Sequence, residues 1–234
     1  MSSEPTILAI ETATAACSVA VRRGGLVAAG ETMPMTRGHA EALMPMVVRQ
    51  VGEAGLALAD IELFAVGIGP GAFTGVRVGL AAARGMALAA GRPCAGIGTL
   101  EAVAEAVPAA QRPEGPLVIT MDTLRGDLYV QVFLPGTGGA MAPTALPAAA
   151  LAAALPPGPI TLVGDAADGA ATHLRAADRE VRIVAGACRA DAVQVAAIAA
   201  RRWQAGERFP HRPRPVYLRP PRATPASPSG RQRS

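Results

Sequence analysis

The 234-residue chain contains no lysine, only three histidines and three cysteines, and just 3% aromatic side chains. Each shortage removes a class of explanation. A Walker-type phosphate loop needs a Lys directly after its last Gly. In the stretch that looks most like one, Gly75 is followed by Val76 and Arg77. Cys17, Cys94 and Cys188 lie far apart with no CxxC pair, which argues for free thiols in a reducing compartment rather than disulfides or a zinc site. With half of the residues apolar but so few rings, the core must be aliphatic and alanine-rich. The most apolar helix expected, 76–90, is interrupted by Arg77 and Arg84 and is too short to cross a bilayer. Met1 to Pro5 shows neither the basic nor the apolar region of a secretory signal. The expectation is a cytoplasmic protein with no membrane partner.

The net charge of +4 is unevenly held. Residues 208–234 carry seven Arg and no acid, whereas residues 1–207 carry 15 Arg against 18 acids. The basicity is a property of the tail, and the body does not read as a nucleic-acid binder.

What is present centres on residues 66–91, VGIGPGAFTGVRVGLAAARGMALAAG. An apolar strand ends there, turns through Gly69-Pro70-Gly71, and enters a helix with Thr74 as the expected cap. Gly75, Gly79 and Ala83 follow at four-residue spacing, although each interior Gly costs about 1 kcal/mol against Ala. Such a face implies that another backbone comes close, either in the same chain or in a partner.

Upstream, the pattern gives strands over 6–11, 17–22 and 26–33, the last two joined by Arg23-Gly24-Gly25, then a helix over 38–54 bent at Pro45. A strand at 63–68, the central helix, a strand at 94–97 and a helix capped by Thr99 complete an order β-β-β-α-β-α-β-α. After the Pro-rich break at 108–116, strands 117–122 and 127–134 repeat the opening hairpin, with Glu11 and Asp122 each ending a first strand. Residues 137–159 are nearly all Ala, Gly, Pro and Leu, and show only a short helix after Pro147. A strand at 160–163 and a helix at 190–204 follow. The domains expected are 1–108, carrying the partner-binding helices; 116–208, a degenerate second unit whose last helix packs back on the first; and a mostly disordered Pro/Arg-rich tail, 209–234, in which Val216 to Leu218 can dock.

The segments ILAIETATAACSVAV, GIGPGAFTGVRVGLAAARGMALA, MDTLRGDLYV and PVYLR together resemble the TsaB (YeaZ) family, strongly over the first half of the chain. That resemblance implies a two-domain α/β fold of the actin/sugar-kinase/Hsp70-like type, with the β-β-β-α-β-α-β-α unit duplicated. It also implies a non-catalytic dimerisation subunit in bacterial tRNA threonylcarbamoyladenosine synthesis. Its partners would be a TsaD-type catalytic subunit and a TsaE-type ATPase, with self-dimerisation when alone.

Metal-binding relatives carry two His one turn apart on the first helix. Here His39 has Leu43 at the second place, so no metal is expected, and His39 reads as a solvated or interface side chain. Glu11, Thr12, Gly71, Thr74 and Asp122 mark a degraded nucleotide or anion site: the turn after Glu11 lacks glycine, and only Gly164 remains of an adenosine-side glycine pair. No cofactor is required, and nucleotide binding would be weak. The partner interface is expected on helices 38–54 and 75–90, through His39, Leu43, Met44, Val47, Val48, Gly75, Val76, Gly79, Ala82, Ala83 and Met86. The competing readings are an autonomous ATP-dependent kinase-like enzyme acting through Glu11 or Asp122, and a metallopeptidase. Arg212, Arg214, Arg219 and Arg222 give the tail a route to tRNA phosphates, against a simple compositional bias.

Overall fold

The computed structural model describes residues 4–136, 139–184, 186, 189–209 and 212–219. Cys188, His211, Arg222 and the tail from 220 onward lie outside the described residues, so the disorder expected there has no structural counterpart to compare with. Two five-stranded sheets organise the chain. The first contains β1 (Ile7–Glu11), β2 (Ala16–Arg23), β3 (Leu26–Pro34), β4 (Leu63–Gly67) and β5 (Cys94–Ile97), in the order β3-β2-β1-β4-β5. The second contains β6 (Leu117–Asp122), β7 (Asp127–Phe133), β8 (Thr144–Pro147), β9 (Ile160–Val163) and β10 (Val181–Ile183), in the order β8-β7-β6-β9-β10. The orders superpose strand for strand. In each sheet the first three strands pair antiparallel and the last two pair parallel. This is the duplicated actin-like fold, and Glu11 and Asp122 hold equivalent strand ends.

The helices are α1 (His39–Glu53), α2 (Phe73–Ala90), α3 (Thr99–Glu105), α4 (Leu151–Ala154), α5 (Ala167–Arg175) and α6 (Ala192–Gln204). Strand alternation decides which layer each one covers. Leu8 and Ile10 of β1 point with Phe64 and Val66 into a cluster filled by Leu43, Met46 and Val47 of α1 and Val76, Leu80 and Ala83 of α2. Ile7 and Ala9 point the other way, into a cluster shared by α3, α6 and Leu117, Ile119 and Met121 of β6. The far face of the second sheet is closed by α4 and α5. The layers therefore run α1/α2, first sheet, α3/α6, second sheet, α4/α5, and α6 from the second half of the sequence packs directly on β1 and β2.

Several local expectations need correction. The cap of α2 is Ala72 and that of α3 is Gly98, so Thr74 and Thr99 are helical residues and neither caps its helix by a side-chain bond. Helix α1 starts after a left-handed Gly38 (φ 85°), one residue later than expected, and includes Pro45 on its exposed side. Strand β8, helix α5 and strand β10 were not anticipated. Strands β8 and β10 are only four and three residues long, too short for alternation to mark them.

Candidate functional site

The central glycines face inward. The turn after β1 is gripped by a ladder of glycines, four residues apart, along β4 and α2. A Cβ on Gly67 would fall well under 3 Å from the Glu11 carboxylate, one on Gly71 from the Ala13 carbonyl, one on Gly75 from the Thr12 carbonyl, and one on Gly79 from the Thr12 hydroxyl. Hydrogen bonds complete the clasp: Ala72 N–H donates to the Ala13 carbonyl at 2.7 Å, and the Thr12 hydroxyl donates to the Gly75 carbonyl at 2.8 Å. The smooth helix face thus accommodates this chain's own turn. Gly75, Gly79 and Ala83 were expected to face a partner or the neighbouring helix; Gly75 and Gly79 are buried against the β1 turn and the first sheet instead, and Ala83 is buried in the cluster that α1, α2 and that sheet share. Val76, Met86, Leu43, Val47 and His39 are likewise buried. His39, expected to be solvated or at an interface, has a buried Nε2 without a hydrogen-bond partner.

The residues left outward on these helices form a different set. Met44 is 41% exposed and Val48 69% exposed on α1, and Leu88 is 68% exposed on α2. Ala81, Gly85 and Ala89 are exposed beside Leu88, and Ala82 is half-buried. Nothing lies within 4 Å of where a Gly85 Cβ would stand, so no contact inside the chain requires glycine there. Ala81, Gly85, Leu88 and Ala89 are not among the interface residues expected from the sequence. Counting the helical positions opposite the glycine ladder would have found Ala81 and Leu88.

Glu11 is wholly buried, accepting from Ala13 N–H at 2.6 Å and the Thr99 hydroxyl at 3.3 Å. Burial pushes its carboxyl up to about 7, and those bonds hold it back only in part. Asp122, at the equivalent end of β6, is exposed; it accepts from Leu124 N–H at 2.7 Å, and its own N–H donates to Asp165 at 2.9 Å. Burial, with Asp122 beside it, also raises the Asp165 carboxyl. Thr12 is buried, Thr74 is exposed and Gly71 is half-buried. Glu11 and Thr12 therefore share one buried clasp with Gly71, while Asp122 belongs to a separate hairpin. Burial lifts the Cys17 thiol to about 11 and the Cys94 thiol to about 12, which leaves neither as a thiolate nucleophile.

A cavity of about 300 Å³ opens between the units, lined by Gly71, Phe73, Val76, Leu124, Arg125 and Tyr129 together with Val216 to Arg219. The anticipated docking of Val216 to Leu218 occurs along its rim. Arg77 stacks on Phe73 at 3.7 Å and donates to the Tyr217 hydroxyl at 3.0 Å. A larger cavity, about 660 Å³, lies by Gln131 and Phe133. The ionic groups on its wall are paired: Arg201 and Arg112 with Glu105, and Arg202 with Glu101. Among the described residues, no three His, Cys, Asp or Glu side chains are grouped as a metal site would need, and no helix is long and apolar enough to cross a membrane.

The family model described as TsaD, tRNA N6-adenosine threonylcarbamoyltransferase, matches residues 34–161. The chain belongs to that family. Within it, this member is 36% identical over 168 residues to an uncharacterized protein of Mycobacterium tuberculosis, covering 71% of this chain and 74% of that one. It is 42% identical over 126 residues to the tRNA threonylcarbamoyladenosine biosynthesis protein TsaB of Escherichia coli, covering 53% of this chain and 52% of TsaB. A Pseudomonas aeruginosa crystal structure, of an uncharacterized protein with similarity to peptidase YeaZ, superposes with TM-score 0.80 at 28% identity, over 92% of this chain and 100% of that one. This family member is thus homologous in sequence and in structure to the TsaB (YeaZ) proteins.

Proposed function

We propose that the chain is the non-catalytic TsaB-type subunit that binds a TsaD-type transferase and supports threonylcarbamoyl transfer to adenosine N6 next to the tRNA anticodon. The observation that carries this reading is the outward α1–α2 face, where Met44, Val48 and Leu88 stand exposed among Ala81, Gly85 and Ala89. A helix face of small residues lets another helix come close, and exposed Met and branched aliphatics supply mouldable apolar contact. Helices of 15 and 18 residues are about 22–27 Å long, so side by side they offer a footprint of roughly 500 Å² before their flanks count. A standard interface needs about 800 Å² per partner. The chemistry would come from the partner: α1 pairs His39 with Leu43 one turn on, and Leu43 is committed to the core. A TsaE-type ATPase would act on the assembled pair, and the same face would carry self-association in the partner's absence.

One observation favours a second reading, an autonomous ATP-dependent enzyme of this fold. Glu11 titrates near 7, where a general base is useful. Against it, Glu11 lines neither of the two cavities described, and its carboxylate is engaged by Ala13 and Thr99.

Light scattering on a size-exclusion column separates the two. The chain mixed with its TsaD-type partner should elute as a one-to-one complex, and a folded Val48→Arg protein should fail to form it. Absence of a complex with the unaltered chain would refute the subunit reading and direct attention to magnesium-dependent ATP hydrolysis by the isolated protein.

A further inference from the structure

We propose that residues 212–219 form a latch that ties the second unit to α2, and that its docked state sets the face α2 offers to a partner. The segment, RPRPVYLR, has no regular secondary structure, yet it is seated at five places. Pro213 is buried against Gly96, whose missing side chain is the space it fills: a Cβ there would meet the Pro213 ring and Ile68 at under 3 Å. The carbonyl of Pro213 accepts from the Arg84 guanidinium. Val216 N–H donates to the Ile68 carbonyl at 2.8 Å, just ahead of the turn into α2. Tyr217 packs on Phe73 with ring centroids 5.3 Å apart and accepts from Arg77. Finally, Arg219 pairs with Asp127 of β7.

Four of these contacts fall on β5, the Ile68 strand end or one flank of α2, and the fifth falls on the other sheet. The segment runs antiparallel to α2, with Pro213 at Arg84 and Tyr217 at Arg77, and then crosses to the hairpin β6–β7. It is the wall of the 300 Å³ cavity on that side. Its buried area is small, since only Pro213 is fully covered and Tyr217 is 42% exposed. A segment held by a few half-exposed polar and ring contacts opens at a fraction of the cost of global unfolding. The latch is therefore a two-state element: docked, it fixes Phe73, Arg77 and Arg84; lifted, it frees that flank of α2 and opens the cavity. Arg77 and Arg84 share one stripe of α2 with Ala81 and Leu88, at i, i+7, i+4 and i+11, so the docked latch borders the partner-facing side itself, and linkage makes the effect reciprocal.

The test uses full-length chain with Tyr217→Ala, which removes the ring contact, and Val216→Pro, which removes the single N–H to Ile68. Hydrogen exchange should accelerate about tenfold in both variants across residues 68–84 and stay unchanged in β1 and β2. Unchanged exchange across 68–84 in both would overturn the latch. The second half of the proposal rests on the partner reading and is tested separately. Affinity for the TsaD-type partner should fall about tenfold in both variants, and equal affinity would overturn the coupling. Failure of the unaltered chain to bind would refute the partner reading, and the coupling with it, while the exchange result would still decide the latch.

Discussion

A glycine in a helix has opposite consequences depending on what stands beside it, and α2 contains both cases. At Gly75 an added methyl would collide with the Thr12 carbonyl, which is backbone and cannot step aside. At Gly85 it would meet nothing. Ala is favoured over Gly in a helix by about 1 kcal/mol. Gly85→Ala should therefore raise the unfolding free energy of the isolated chain, measured by urea titration, by roughly that much. Gly75→Ala should lower stability by about 1–3 kcal/mol, the usual range for overpacking a close-packed site. Equal effects of the two substitutions would contradict the clasp. Glu11 gives a second residue-level test, with a definite sign. Its folded pKa of about 7 exceeds the ordinary value of 4.5, so between those limits the folded protein holds a proton that the unfolded chain releases. Stability from this group is thus full below pH 4.5, is lost as pH rises to about 7, and is flat above that. A shift of this size corresponds to roughly 3 kcal/mol. Glu11→Gln cannot ionise, so its stability relative to the unaltered protein should improve from pH 4.5 to about 7 and then level off in denaturant titrations. A difference independent of pH would remove burial as the cause.

At the scale of elements, α6 shows how one cap joins two distant parts of the chain. Asp191 accepts from Val193 N–H at 2.9 Å as the N-cap, and it also takes the Thr32 hydroxyl from edge strand β3. Next to it, Ala192 N–H donates to the Ser18 hydroxyl of β2 at 2.9 Å. Loss of an N-cap costs about 1–2 kcal/mol, so Asp191→Ala should lower the melting temperature by roughly 2–8 °C while Asp191→Asn keeps most of it. Elements of this kind differ in how far the sequence reveals them. Helix α6 was legible because Val195, Ile198 and Ala199 recur at helical spacing on one side. Helix α5 has the same arrangement in Ala167, Ala170, Ala171 and Leu174, all buried, but it is only nine residues long, contains Gly169, and its stripe is three alanines and one leucine, a weak apolar signal. The existence of α2 was plain and its glycine spacing conspicuous, yet spacing states only that something comes close. Whether that neighbour is the chain's own β1 turn or a second protein depends on where the turn folds, which is a long-range fact. The same limit moved the candidate interface. Met44 and Val48 remained outward, whereas Leu43, Val47, Val76 and Met86 of the same two helices turned into the core.

For the whole molecule, the sequence division near residue 108 and the core division do not coincide. The first sheet is complete by Ile97, but one of its faces (Ile7, Ala9, Ala20, Leu63 and Ala65) is covered by Val195, Ala196, Ile198 and Ala199 of α6. The same cluster takes Leu117, Ile119 and Met121 from the second sheet and Leu100 and Val103 from α3. A fragment of residues 1–112 would keep α1, α2 and α3 and still expose much of that apolar face. Restoring it to water costs on the order of 25 cal/mol for each Å² uncovered. A stability of about 5–15 kcal/mol for a whole domain cannot absorb several residues so exposed. The fragment should therefore show no cooperative melting transition and should bind a hydrophobic dye, whereas the full chain should unfold in one calorimetric step with the calorimetric and van't Hoff enthalpies equal. Adding residues 189–209 as a separate peptide should restore part of the transition, because α6 is the missing layer. A fragment that melted cooperatively alone would mean that the first unit holds its own core and that the α3/α6 layer only joins two finished domains.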